Sequence, residues 1–244
     1  MSAARESLLD AAYTALTTRA WTAVRMVDVA AAAGVSRQTL YNEFGSKEGL
    51  ARALVRRETD SYLSGVARAL ARGGTAAAGT PGDAAARMVA AAAWTLRTAR
   101  TNPLVRAALT GCWGDRLPDP EVAAASPAPV RARRPGGVPA QRTRPSTDGP
   151  LPGPAELVGR LCDQAVAVLE PDWPKEELPA LGTACEAAAR LTLSCVVAPA
   201  AATAPAGRTR AQRTRREAEA EAVSRLVRGA FDRLPGGAER PGRG

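Results

Sequence analysis

Residues 36–47 gather side chains of the kind that contact nucleic acid. Arg37 and Gln38 open a short segment with helical spacing. An arginine fork fits the O6/N7 edge of guanine, and a glutamine amide fits the N6/N7 edge of adenine. Ser36, Thr39, Tyr41 and Asn42 can hydrogen-bond phosphate oxygens, and Ser46 with Lys47 begins a further helix whose first amides favour an anion. A helix that enters the major groove meets base edges with its N-terminal residues in this way. For Tyr41 a second reading stays open, a core aromatic whose hydroxyl still reaches phosphate. Leu40 and Phe44 are assigned to the core.

These groups need a scaffold, and the surrounding sequence supplies helical patterning. Leu8, Leu9, Ala12, Tyr13 and Leu16 repeat along one face, predicting a first helix over residues 4–19. A second is expected over Met26–Ala33, ended by Gly34 in a left-handed conformation. Ser36 then caps a third, Arg37–Asn42, and Ser46 a fourth, whose buried stripe is Leu50, Ala53, Leu54, Tyr62, Val66 and Leu70. Val29, Ala30, Ala33, Val35 and Leu40 occupy the spacings that pack two short helices at a steep angle, a helix-turn-helix. The plain alternative is a helical hairpin inside a bundle, with no DNA.

The run Val29–Leu50 resembles the DNA-binding signature of TetR-family transcriptional regulators. Gly34-Val35-Ser36, Thr39-Leu40-Tyr41, Phe44 and Ser46-Lys47-Glu48-Gly49-Leu50 match it in order and spacing. The resemblance covers about residues 5–56, roughly a fifth of the chain. It implies a homodimeric, cytoplasmic repressor that binds a double-stranded operator, an inverted repeat. It also implies a C-terminal domain whose pocket takes a small-molecule effector and releases DNA. Carried over residue by residue, Arg37 and Gln38 face bases, while Ser36, Thr39, Tyr41, Asn42 and Lys47 face the backbone. Arg25 stands where the family commonly has a threonine N-cap. That forgoes a cap worth about 1 kcal/mol, and Arg25 is then either a DNA contact or a solvated side chain.

The rest of the chain reads as all-α, with no sustained strand-like alternation. Helices are expected at Asp83–Ala99, Pro103–Cys112, Glu156–Leu169, Glu176–Val197 and Gln212–Leu234. Gly73–Gly82 is a turn region, Gly114–Pro154 a Pro/Gly/Arg-rich flexible loop, Pro199–Gly207 a break, and the tail from Pro235 disordered. This divides the chain into a DNA-binding domain at 1–56, an effector-binding and dimerisation domain at 57–234, and a tail at 235–244. In a domain of the family's kind, Met88, Trp94, Leu109, Cys112 and Trp113 would line a cavity for an apolar or aromatic effector, the bland alternative being a packed core. The helices at Glu176–Val197 and Gln212–Leu234 resemble the pair that dimerises in the family. Ala184, Ala187, Ala188, Ala218 and Ala222 allow close approach, either between subunits or within one. The arginine clusters 208–216 and 131–144 read as solvated faces.

Composition narrows the function classes. Hydrophobic residues make up 45% and charged residues 23%, as in a globular chain. Histidine is absent, which removes imidazole catalysis and His-liganded metal. The four cysteines form no CxxC pair and fit a reduced interior as small apolar residues. There is no Gly-rich phosphate loop and no acidic cluster, so no metal, cofactor or catalytic residue is expected and a helical enzyme is the weakest reading. No signal peptide and no uninterrupted run near ~20 apolar residues is visible, so a cytoplasmic protein away from membranes is expected. The net charge is +9, yet residues 1–60 hold eight basic against seven acidic side chains. DNA binding there would rest on the placement of contacts, not bulk charge. Between the leading reading and the enzyme stands a third, a DNA-binding regulator that takes no effector.

Overall fold

The computed structural model describes residues 3–75, 77–118, 151–198, 208–232 and 234, with the helical course alone for 208–216. The expected loop interior, the break after Pro199, the tail and both arginine clusters lie outside the described residues or side chains. Among those described, nine α-helices and three single 3-10 turns are joined by loops, without a strand. The chain is all-α. It groups into two compact units, Met1–Glu58 with Cys112–Leu151, and Thr59–Gly111 with Pro152–Gly244.

The first unit contains α1 (Ala3–Thr18), a 3-10 turn (Trp21–Ala23), α2 (Met26–Ala32), α3 (Arg37–Phe44) and the start of α4 (Lys47–Arg72). Leu8, Leu9, Ala12 and Leu16 of α1 are buried, as their spacing predicts, together with Val29, Ala30, Leu40 and Leu50. Each fully buried leucine contributes about 1.5–3 kcal/mol. Polar clamps surround this small core. The Arg57 guanidinium on α4 donates to Asp10 of α1 at 2.6 Å and to Glu58 at 2.8 Å, with Glu6 at 3.6 Å. Arg5 sits 4.8 Å over the Phe44 ring and 3.7 Å from Glu43.

A second stretch of chain completes the unit. α6 ends at Gly111 in the left-handed region (φ 72°), and Gly114 (φ 59°) turns the chain again. The Trp21 amide then donates to the Arg116 carbonyl at 2.9 Å.

The second unit takes up α4 from Thr59 and adds α5 (Pro81–Thr101), α6 (Pro103–Thr110), α7 (Pro154–Leu169), α8 (Leu178–Val197) and α9 (Arg208–Phe231). Thr80 and Asn102 cap α5 and α6, each with proline in the first turn, where a missing amide costs nothing. Buried Asp83 accepts from the amide and hydroxyl of Thr75 and from Arg87 Nε at 2.8 Å. Arg87 in turn donates to the Leu70 carbonyl at 3.0 Å, so the last turn of α4 and the first of α5 share one network. α8 is the central helix, packed by α5, α7 and α9. Lys175–Val197, although interrupted by Glu186 and Arg190, is by length and composition apolar enough to cross a membrane, with a mean hydropathy of 1.3 over its most apolar window. Within the bundle Leu181, Cys185 and Ala188 of α8 are fully buried, whereas Val197 at its end is exposed.

Candidate nucleic-acid interface

α2 and α3 are joined by Gly34-Val35-Ser36, and Gly34 takes the left-handed conformation its position calls for (φ 67°). The Val35 amide donates to the Ala30 carbonyl, closing the turn. Ser36 Oγ then accepts from the Thr39 amide at 3.0 Å, the N-cap the sequence predicts. α3 runs two residues further than expected, to Phe44, because the stop is Gly45 at φ 72°. Leu40 and Phe44 are buried and hold α3 on the core. Its other face is left to solvent: Ser36, Arg37, Gln38, Tyr41 and Asn42 are exposed, with Thr39 half-buried. Tyr41 at 41% exposure is therefore a surface aromatic, and its core reading is set aside.

Within this face Gln38 and Asn42 are coupled. Gln38 Nε2 donates to Asn42 Oδ1 at 2.8 Å, one helical turn away. The glutamine is thereby ordered along the helix, with its own carbonyl oxygen and one N–H left for a base edge.

Arg25 occupies the N-cap position of α2 and makes no cap hydrogen bond. Instead its guanidinium grips Asp28 in the first turn, Nε to Oδ2 at 3.1 Å and Nη2 to Oδ1 at 3.2 Å. Arg19 reaches the same carboxylate at 3.2 Å. The Arg25 hydrogen bonds, with Arg19 beside them, hold the Asp28 carboxyl below its ordinary pKa even against some desolvation. The missing cap is thus replaced by an ion pair on the solvent side.

Lys47 is not a plain surface cation. Its Nζ donates to the Thr22 carbonyl at 3.1 Å and lies 5.5 Å from the Trp21 ring centroid. Desolvation in this half-buried place lowers its pKa, which Glu48 partly offsets. Ser46 Oγ caps α4 by accepting from the Gly49 amide at 3.1 Å. Gly49 has a role the sequence did not signal. A Cβ there would lie 1.9 Å from the Phe44 carbonyl oxygen, so α4 leaves α3 at a distance only glycine allows.

Residues 8–54 match the family described as bacterial regulatory proteins, tetR family. The similarity to that family is thus carried by the segment that holds α1 to the start of α4. It is 52% identical over 62 residues to the HTH-type transcriptional regulator AlkX of Mycobacterium tuberculosis, covering 25% of this chain and 29% of that one. It is 29% identical over 171 residues to the HTH-type regulator Rv1255c of the same species, covering 70% and 65%. The chain thus matches less than two thirds of the length of either curated relative. Among solved structures, the TetR-family repressor AlkX of a Dietzia strain, implicated in biodegradation of n-alkanes, aligns at TM-score 0.46 and 22% identity, covering 93% and 97%. A TetR transcriptional regulator of a Rhodococcus species aligns at 0.43 and 17%, covering 96% and 98%. The family and the named relatives are regulators, not enzymes. Among the described residues no His, Cys, Asp and Glu group is arranged to hold a metal.

In the second unit the five pocket candidates are not brought together. Met88 and Leu109 are buried in the second unit, and Trp94 is half-buried, with Nε1 donating to the Tyr62 carbonyl at 3.1 Å. Cys112 and Trp113 lie past the end of α6, in the segment grouped with the first unit. Cys112 is exposed, which corrects its reading as a core thiol, whereas Cys185 is fully buried and its thiol pushed up to about 12 by desolvation. Of the five, Leu109 alone lines a cavity described here, of about 10 Å3, shared with Tyr62, Thr95 and Thr192. Those polar residues sit inside apolar helical stripes, and that interruption was the sequence signal for them. Of the small residues suited to close helix approach, Ala184 and Ala188 are buried within the chain itself, Ala187 and Ala222 are half-buried and Ala218 is exposed.

Proposed function

We propose that this chain is a dimeric transcriptional repressor of the TetR kind that grips an inverted-repeat operator through α3 and is released by a small molecule in its helical second domain. The observation that carries the reading is the exposed polar face of α3, seated on buried Leu40 and Phe44. Arg37 and Gln38 read bases; Ser36, Thr39, Tyr41, Asn42 and Lys47 meet phosphates, and Arg25 reaches the backbone beside α2. Support for a dimer comes from large apolar side chains left exposed on the last two helices, Val197 at 60% and Leu226 at 45%, beside Ala218 and Ala222. A two-fold partner would cover them. A DNA-binding protein of this kind works in the cytoplasm.

The test is fluorescence anisotropy of the full chain against the intergenic DNA beside its own gene, with a scrambled duplex and a salt series. Preferential, salt-sensitive binding at two protomers per site is expected. Failure to bind either duplex at low salt would remove the DNA-binding role. A second reading, a regulator without an effector, is favoured by the tight packing around the 10 Å3 cavity. It predicts operator binding that no small molecule displaces.

A further inference from the structure

The cavity of about 10 Å3 in the second unit lies where α4, α5, α6, α7 and α8 converge, and it has room for roughly one water. Its polar lining is Tyr62, Thr95 and Thr192; its apolar lining includes Leu109, Leu157, Leu161 and Leu193. The hydroxyl protons there can all be assigned. Thr95 Oγ1 donates to the Ala91 carbonyl at 2.9 Å, and Thr192 Oγ1 to the Ala188 carbonyl at 2.8 Å. A hydroxyl has one proton. The 3.1 Å contact between Tyr62 Oη and Thr95 Oγ1 therefore runs with Tyr62 donating. All three protons are committed within the protein, and what the hydroxyls still offer is lone pairs. No charged side chain lines the space.

The walls differ in how they are held. α4 and α5 are tied by the Tyr62–Thr95 bond and by Trp94 donating to the Tyr62 carbonyl. α7 supplies Leu157, Val158 and Leu161 to the cavity. Among the described residues its side-chain pair, Arg160 with Glu156, is internal to the helix. Gly153 gives it no side-chain cap, and Gln164 Oε1 is buried without a partner. Packing holds α7 in place.

We infer that this cavity is the seat of the effector's head group, opened by displacement of α7, and that it takes a neutral molecule with one O–H or N–H donor on an apolar body. This rests on the effector reading above. A donor answers the lone pairs of Tyr62 and Thr192. A ketone or ether in the same place brings only further lone pairs and leaves buried acceptors unanswered. A charged head would be desolvated against leucines with no counter-charge.

The test uses the full chain with cyclohexanol and cyclohexanone, which match in shape and differ in the donor. Binding is read by thermal shift and ligand-observed NMR. Wild type, Leu109→Ala (which enlarges the cavity) and Thr192→Val (which removes an acceptor at nearly constant volume) are compared. Cyclohexanol is expected to bind wild type and Leu109→Ala at least ten-fold more tightly than cyclohexanone. Thr192→Val should cut that preference several-fold. Equal binding of the two probes, or an intact preference in Thr192→Val, overturns the donor inference. Binding by Leu109→Ala alone overturns the opening of α7, and binding by none overturns the site. Operator release is followed in parallel. Selective cyclohexanol binding with DNA retained leaves the site standing and removes the effector reading. Release by a compound that does not compete with cyclohexanol does the reverse.

Discussion

Lys47 Nζ donates to the Thr22 carbonyl at 3.1 Å, which makes the first residue of α4 a strut for the turn leading into α2. Two of its N–H bonds remain for a phosphate, so strut and DNA contact are compatible. Lys47→Met is expected to lower stability by about 1.5 kcal/mol, the worth of a hydrogen bond from a charged donor. It should also reduce the salt slope of operator binding by about one. Denaturant unfolding and anisotropy across a salt series measure the two separately. Lost stability with an unchanged slope would leave Lys47 as a strut alone.

Gly49 meets the Phe44 carbonyl where a Cβ would stand at 1.9 Å. Gly49→Ala must push α4 away from the end of α3, against the helix-favouring effect of alanine. A destabilisation of about 2–4 kcal/mol is expected, together with weaker operator binding. Thermal unfolding decides it, since a neutral or stabilised variant would mean that the α3–α4 junction yields easily.

The Gln38–Asn42 bond predicts non-additive specificity. Gln38→Ala should relax preference at particular base pairs by about 1–3 kcal/mol. Asn42→Ala should relax the same positions in part, because it frees the glutamine amide to rotate, and the double variant should fall short of the sum. Tyr41→Phe should weaken all sequences alike. Binding to a panel of single-base operator variants checks all three.

Acid should loosen the second unit through Asp83. Burial opposes its charge, but the Arg87 guanidinium and the Thr75 amide and hydroxyl outweigh it and hold the pKa below the ordinary 3.8. A carboxyl depressed on folding stabilises fully above its unfolded pKa, and that contribution is lost as pH falls through the folded value. Stability should therefore drop below about pH 4 in wild type. Asp83→Asn should remove this part of the acid dependence and cost about 3 kcal/mol at neutral pH, since Arg87 is left buried without its partner. Urea midpoints from pH 2 to 7 give both numbers.

The helix-turn-helix was legible because each local signal agreed with the tertiary arrangement. Gly34 turns, Ser36 caps, and Leu40 and Phe44 face inward. Boundaries slipped, as at Asn42 against Gly45, and at Glu176, where a 3-10 turn precedes Leu178 and the first-turn Pro179 of α8. What patterning could not give was partnership across the chain. Arg25 on Asp28, Lys47 on Thr22 and Gly49 against Phe44 are contacts of geometry, and residue type alone names only one side of each. The pocket candidates failed to converge for a related reason. Gly111 in the left-handed region ends α6 before Cys112 and Trp113, and the chain beyond joins the first unit.

The hydrogen bond from the Trp21 amide to the Arg116 carbonyl bears on how this protein can be recombined. A headpiece cut at Glu58 and grafted onto another helical unit would leave that amide to water and slacken the turn before α2. A working chimera has to bring Cys112–Pro118 along, because the two units are interleaved in the gene and are not a cassette with a single seam.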